Sequence, residues 1–427
     1  MNNKKYLLFI AGWLCVGVWA CNVNAQTKTV HRFEKIQLSE TFYGEGAGIG
    51  DINNDGYPDV IAGPYWYAGP DFVEKQAYYE VVEHDPYKYS DNFFIETEDI
   101  NGDGYVDILM VGFPGESAFW FENPGGASGY WEKHLIHSRV DNESPHFYDL
   151  DGDGKLELVF HTDGYLGYAR RNQEDVKAPW DFVRIYDQQD WGKFTHGFGI
   201  GDINGDGLED ILMAKGWWQN PGRDRTDQQW EYHPADFGPG GAQMYAYDVN
   251  GDGLNDVITT LNAHGWGMAW YEQKRHDGEI TFQQHLIMGD KESDNRFGVR
   301  FAEAHAIDLV DIDQDGVKDL VTGKRFWAHG PDGYYFHNNA AVLYWFKLVQ
   351  DSKDPHFVPY LIDYNSGVGV EVETGDLTGN GLMDIVVSNK RGTFVFLHYT
   401  EEVSQEVWEY LQPRPIDDPG SKASQRH

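Results

Sequence analysis

Cysteine is almost missing from this chain: Cys15 and Cys21 are the only two in 427 residues. Both fall in an N-terminal stretch that reads as an export signal, so the mature chain has at most one thiol and no internal disulfide. Basic residues are scarce too, with 33 Lys and Arg against 69 Asp and Glu and a net charge of −36. No basic stripe exists to neutralise phosphates, which excludes nucleic acid as a partner. No apolar run is long enough to span a bilayer. A Gly-rich phosphate loop, an HExxH pair and a nucleophile elbow are also absent, which argues against nucleotide chemistry and serine hydrolysis.

What is abundant is one motif, D-x-[DN]-x-D-G-x-x-[DE]. It occurs six times with a decayed seventh copy, starting at Asp51, Asp99, Asp149, Asp202, Asp248, Asp311 and Asp376. The oxygen-bearing positions are Asp51, Asn53, Asp55 and Asp59; Asp99, Asn101, Asp103 and Asp107; and Asp149, Asp151, Asp153 and Glu157. They continue as Asp202, Asn204, Asp206 and Asp210; Asp248, Asn250, Asp252 and Asp256; and Asp311, Asp313, Asp315 and Asp319. The last copy keeps Asp376, Thr378, Asn380 and Asp384. Oxygen ligands at positions 1, 3, 5 and 9, with Gly at 6 to permit the turn, suit a hard cation such as Ca²⁺. An EF-hand would add a Glu at position 12 and flanking helices. Here β-type runs flank the loop instead, as in Asp59-Val60-Ile61-Ala62. Structural calcium is the expectation, firmest in the third and sixth copies, which carry four carboxylates each. A halophilic, acid-rich surface is the lesser reading of the charge.

The copies are spaced by 48, 50, 53, 46, 63 and 65 residues, enough for one small antiparallel sheet per repeat. Aromatic strands follow the loops, as in Tyr65-Trp66-Tyr67 and Trp217-Trp218-Gln219, and a further strand follows those. One strand of that last kind, His31 to Leu38, instead precedes the first loop. Ring closure accounts for it: the N-terminal strand completes the last sheet and removes an open edge. The fold class expected is all-β, a seven-bladed β-propeller with calcium-binding loops, closed by an N-terminal strand. An open β-array is the alternative. The domains expected are a signal peptide over 1–25, the propeller over 28–400 and a C-terminal extension and tail over 401–427. Lys4-Lys5 and the apolar Tyr6–Ala20 form the signal, with cleavage after Ala25. Val18-Trp19-Ala20-Cys21 offers a lipobox and a lipid anchor at Cys21 as the alternative. Export to the periplasm or the exterior follows either way.

The strand before each loop should line the axial channel. Six residues before each loop start stand Glu45, Phe93, Glu143, His196, Ala242, His305 and Val370. Glu303 alternates with His305, so both should face one way on a strand. His146, Gln243, Glu371 and Glu373 lie close by in sequence. Polar groups converging at a channel mouth indicate a binding site; the competing account is a histidine bonded to backbone at a sheet junction. Asn262–Gly267 places His264 among glycines, and Lys324, Arg325 and His329 crowd one segment of an acidic chain. These cations suit an oxyanion or a polarised carbonyl, or else pair with loop carboxylates. Tyr65, Trp66, Trp217 and Trp218 either stack on sugar rings or belong to the core.

The repeats resemble FG-GAP (VCBS-type) propeller repeats over residues 30–400. Longer strings carry a closer resemblance: Asn142-Glu143-Ser144-Pro145-His146-Phe147, His196-Gly197-Phe198-Gly199, Glu303-Ala304-His305-Ala306 and Gly323–His329. Together with Arg391–Phe396 they are similar to the propeller domain of the aldos-2-ulose dehydratase/isomerase family. That resemblance implies a metal-dependent lyase or dehydratase half acting on keto-sugars. The expected metal is Zn²⁺ or another divalent ion held by ligands from His146, His196, His264, His305 and Glu303. His196, His264, His305, Lys324, Arg325 and His329 are the catalytic candidates; Tyr65, Trp66, Trp217, Glu45 and Glu371 are the substrate-binding ones. The expected partner is carbohydrate, a keto-sugar or glycan. A non-catalytic carbohydrate-binding or adhesive propeller and a uronic-acid polysaccharide lyase are the competing functions.

Overall fold

The computed structural model describes residues 27–416, apart from 223, 224, 226, 331, 334 and 335. The export segment, both cysteines and residues 417–427 lie outside the described residues. Contact density divides the chain into two units. The smaller joins the residues up to Val30 with Glu401–Gln412. It holds the helix Gln405–Leu411, whose first turn is capped by the Ser404 hydroxyl accepting from the Val407 amide. Serine suits that place because its oxygen satisfies an amide that the helix start leaves open.

The larger unit, His31–Thr400 with residues from Pro413 on, is an all-β propeller. Five sheets have four strands each. The first runs Ala47–Gly50, Asp59–Ala62, Tyr65–Tyr67 and Lys75–Ala77, all antiparallel. An eight-stranded sheet consists of two such meanders joined through Phe198–Gly201 and Gln243–Tyr247, which pair in parallel. In the last sheet the order ends Asp384–Asn389, Gly392–Ser404, Thr27–Ser39, so the N-terminal strand forms its outer edge.

The second strand of every sheet follows the Asp loop directly. Asp59–Ala62, Asp107–Val111, Glu157–Thr162 and Asp210–Met213 are buried along their whole length. Runs rich in Val, Ile and Leu suit a strand covered on both faces. Apolar clusters fill each gap between successive sheets. Ile61, Tyr78, Ile108 and Phe121 join the first two, and Val386 and Val395 pack with Val60 and Tyr67 to join the last to the first. The two halves of the eight-stranded sheet are packed in the same way, by Leu212, Trp217, Met244 and Val257. Each fully buried large apolar side chain contributes roughly 1.5–3 kcal/mol. The sheets therefore form a closed ring with its core between blades.

The Asp loops repeat one hydrogen-bond plan. The position-6 glycine sits at positive φ in every copy, from +83° at Gly381 to +90° at Gly56, a conformation costly for other residues. Its amide donates to the position-1 carboxylate at 2.8–2.9 Å, as Gly56 does to Asp51 and Gly316 to Asp311. The position-9 carboxylate points inward. Asp59, Asp107, Asp210, Asp256, Asp319 and Asp384 are each fully buried. In each, one oxygen accepts from the position-2 amide, as from Ile52 or Val249, and the other accepts from an amide in the third strand or just past its end, as from Gln273 or Gly69. This carboxylate ties the loop to its sheet.

A second latch ties each of several sheets to the loop of the sheet before it. The Asn123 side-chain amide donates to the Ile52 and Val106 carbonyls at 2.8 and 2.9 Å. Asn220 does the same to Leu150 and Glu209, and Gln273 to Ile203 and Asn255. Arg171 reaches the Ile100 carbonyl at the equivalent place. The turns Glu122-Asn123-Pro124 and Gln219-Asn220-Pro221 are therefore inter-blade clips. Asn123→Ala strands two buried carbonyls and should lower unfolding stability by about 2–4 kcal/mol in a urea titration; a loss below 0.5 kcal/mol would show that the clip is dispensable.

Candidate metal centre

Ring closure turns equivalent positions at or just ahead of the first strand of each sheet towards one another. Of the residues six before each loop, four meet: Glu45, Glu143, His196 and His305. Glu143 Oε2 lies 3.1 Å from His196 Nε2 and 3.2 Å from His305 Nε2. Arg325 Nη1 donates to His305 Nε2 at 3.0 Å, and Nη2 donates to Glu45 Oε1. His264 arrives from the glycine-rich turn, its ring 4.7 Å from that of His196 and 5.2 Å from that of His305. Glu143, His196, His264 and His305 each offer a ligand atom, and these atoms all lie within 4.8 Å of one another. Glu143 was legible in the register but escaped the expected ligand set.

Three ring nitrogens in this group, His196 Nε2, His264 Nδ1 and His305 Nδ1, are buried with no hydrogen-bond partner. His196 Nε2 is near Glu143 but poorly aimed for a hydrogen bond. Buried polar atoms are otherwise paired as a rule. Unpartnered imidazole nitrogens beside a carboxylate are a donor set that fits Zn²⁺ or a similar divalent ion.

The electrostatics favour ligation. Burial pushes His264 down to about 2, with charge at His305, His196 and His329 adding to the effect. Burial, then Arg325, pushes His305 down to about 4. Both rings are neutral near neutral pH, as metal ligands must be. Glu143 is opposed by burial, yet the close approach of His196 and His305 holds it well below the usual carboxylate range. A neutral His305 lends it less positive charge, so the group titrates as one coupled system. The neighbouring Arg325, charged at any working pH, is the firmer reason for an ionised Glu143.

Two groups absent from the expected set complete this region. The Tyr89 hydroxyl lies 2.8 Å from His329 Nδ1, and the His329 ring is 4.2 Å from that of His264. Lys390 donates to the Trp327 carbonyl at 2.8 Å and lies 4.8 Å from the centre of the Tyr89 ring. Burial pushes Lys390 down to about 8. Its only sequence signal was its place in the Asn389-Lys390-Arg391-Gly392 turn, just ahead of the resembling string.

Other expected residues part from this centre. Glu303 and Lys324 pair at 2.7 Å, wholly buried, with His337 Nδ1 2.5 Å from the other Glu303 oxygen. The shared facing expected of Glu303 and His305 fails because Glu303 adopts φ +58° outside any named strand, so strand alternation does not apply. His146 accompanies its neighbour Phe198 instead, with Nε2 3.3 Å from that carbonyl, and lines a separate axial cavity with Glu371. Trp217 is buried and stacks on His233. Tyr65 and Trp66 lie on the third strand of the first sheet, Tyr65 beneath Lys75. Trp218, next to Trp217, faces a cleft of about 480 Å³ that reaches His196 and is walled by Trp191, Phe194 and Tyr232.

Among the Asp loops, ligand oxygens converge within 4.8 Å in Asp149, Asp151 and Glu157 and in Asp311, Asp313 and Asp315. In the sixth copy, Lys347 already pairs with Asp313 and lies 2.6 Å from Asp315.

An FG-GAP-like repeat is matched over residues 99–160, a span that holds the second and third loops. No curated protein matches the chain. Solved structures with a similar trace include an Agrocybe aegerita lectin described as recognising non-reducing terminal N-acetylglucosamine. It is 17% identical, with 89% of this chain and 87% of that one covered and a TM-score of 0.44. Another is the V. cholerae biofilm matrix protein Bap1, 12% identical, with 86% and 78% covered and a TM-score of 0.35. The sheet topology and the repeat match together identify a β-propeller carrying an FG-GAP-like repeat.

The buried Glu45–Arg325 pair supplies a test of the site's architecture. Glu45→Gln and Arg325→Met should each destabilise by about 3–5 kcal/mol, because each strands a buried charge. The double replacement should cost clearly less than the sum; strictly additive losses would mean that the two groups do not act as a pair.

Proposed function

We propose that this protein holds a divalent transition metal at the Glu143, His196, His264 and His305 centre and acts there on a carbohydrate. The carrying observation is the convergence of one carboxylate with three unpartnered imidazole nitrogens. The aromatic cleft beside His196 supports a sugar ligand, because indole and phenyl faces stack on pyranose rings. The eight-stranded sheet is read as two blades zipped along their inner strands, which makes the propeller seven-bladed. The Asp loops are read as structural calcium sites and residues 1–25 as an export signal. In the loops, burial pushes Asp210 and Asp256 up to about 7, and an adjacent cation would offset that penalty.

The reaction proposed is β-elimination next to a ketone. A bound divalent metal would supply Lewis acidity to the coordinated carbonyl. His329 is exposed, and burial of its ring lowers its pKa, so it is neutral and able to take the α-proton. Tyr89, hydrogen-bonded to His329, fixes that ring. The electron pair of the broken C–H bond forms the new C=C, and the C–O bond on the next carbon breaks. Lys390, cationic below about 8, donates the proton taken by the leaving oxygen. Water or a glycosidic oxygen can depart by this route. The second reading, carbohydrate binding without catalysis, draws on the exposed rim aromatics Tyr87 and Phe194, which are 64% and 48% accessible.

Two measurements separate these readings. The enzyme should contain a near-stoichiometric transition metal besides calcium and form an absorbing enone from a keto-sugar, and His305→Ala and His196→Ala should each lose both. Calcium alone, with glycan binding but no enone, would establish the binding module instead. The pH profile adds a second check. Lys390 must stay charged, so turnover should fall as pH rises through about 8, and Lys390→Arg should move that limb upward. An alkaline limb unmoved by the replacement would remove Lys390 from the reaction.

A further inference from the structure

Past the histidine centre, the axis opens into a second cavity of about 110 Å³. Its walls carry Glu96, Asp308, Glu371 and Glu373, with the Tyr245 hydroxyl and the Gln243 side chain between them. Among the described residues, no Lys or Arg lines it. That contrasts with the rest of the interior, where Glu45 meets Arg325, Glu303 meets Lys324 and Glu143 meets two histidines. Burying an ion without a counter-charge costs several kcal/mol, which selection does not tolerate four times in one place without compensation.

The backbone satisfies these carboxylates only in part. Glu371 Oε2 accepts from the Ala47 and Ile95 amides, both at 3.1 Å, and Asp308 accepts from the Leu309 amide at 2.7 Å and from the Thr374 and Tyr245 hydroxyls. Among the described residues, Glu96 accepts only the neighbouring Thr97 amide. Glu373 is half-buried and lines the cavity, and among the described residues nothing donates to it. Burial and mutual repulsion push Glu371 and Glu373 well above the ordinary carboxylate range when no cation is present. His146 on the wall offers no charge, since burial pushes it down to about 4.

We propose that this cavity is a second, oxygen-only cation site, holding one hard divalent ion of the Ca²⁺ or Mg²⁺ class between Glu371 and Glu373. Carboxylate, hydroxyl and amide oxygens are the ligands such ions choose, whereas the imidazole-rich centre suits a softer metal. No three of the four carboxylates bring oxygens within 4.8 Å of one another. The ion therefore keeps part of its water shell, for which the cavity has room at about 30 Å³ per water. Bound there, it would tie three innermost strands together, since Glu96, Asp308 and Glu373 come from different sheets. The site does not rest on the carbohydrate reading; a propeller without catalysis would need it equally.

Mn²⁺ is the probe, used on crystals of the full chain stripped by chelator and then saturated. An anomalous difference peak is expected inside the cavity near Glu371 and Glu373. It should vanish in Glu373→Gln while peaks elsewhere persist, with Glu371→Gln as the second variant should the first not fold. A cavity without a peak, or a peak unchanged in both variants, would overturn the assignment.

Discussion

Ring closure is the constraint on which everything else rests. Once sheets stand around an axis, equivalent positions at the start of their first strands or just ahead of them are forced together, whatever side chains they carry. At such positions this chain carries Glu45, Glu143, His196 and His305, and closure delivers them to one point. Each must then find a partner away from water. Glu45 finds Arg325, Glu143 draws two imidazoles to within 3.2 Å, and three imidazole nitrogens of the group are left without an aligned hydrogen bond. The candidate site is thus a consequence of the architecture, sharpened by the cost of leaving buried polar atoms unpaired.

The Asp loops sustain the ring in a way that composition alone does not convey. Their position-9 carboxylates are not surface groups but buried ties between loop and sheet. The remaining loop carboxylates face outward and give the chain much of its net charge of −36. Where Lys347 reaches the sixth loop, the protein supplies its own cation to two of them. Calcium, in the proposed reading, would do for the other loops what that ammonium does there.

Much of the fold was legible because the motif is local. Asp loops, the apolar strands behind them and the displaced strand at His31–Leu38 are visible in sequence because each depends on neighbours within a few residues. The site was legible where the spacing back from the Asp loop is constant. His196 and His305 were found by counting back from their loops. Glu303 was misplaced because its positive φ breaks the alternation, and His146 because the strand Asp141–Tyr148 shifts register between Asp141 and His146. Tyr89 and Lys390 lie in connections whose course is set by tertiary packing, which no local pattern encodes. Trp218, not the adjacent Trp217, faces the cleft, a distinction of one residue that only the sheet register decides.

The most direct test is a metal-edge X-ray absorption spectrum of the purified, metal-replete protein. Three imidazoles and one carboxylate should give a nitrogen-and-oxygen first shell with the outer-shell scattering of coordinated histidine rings, diminished in His264→Ala. A purely oxygen shell without imidazole scattering, or no bound transition metal at all, would contradict the account.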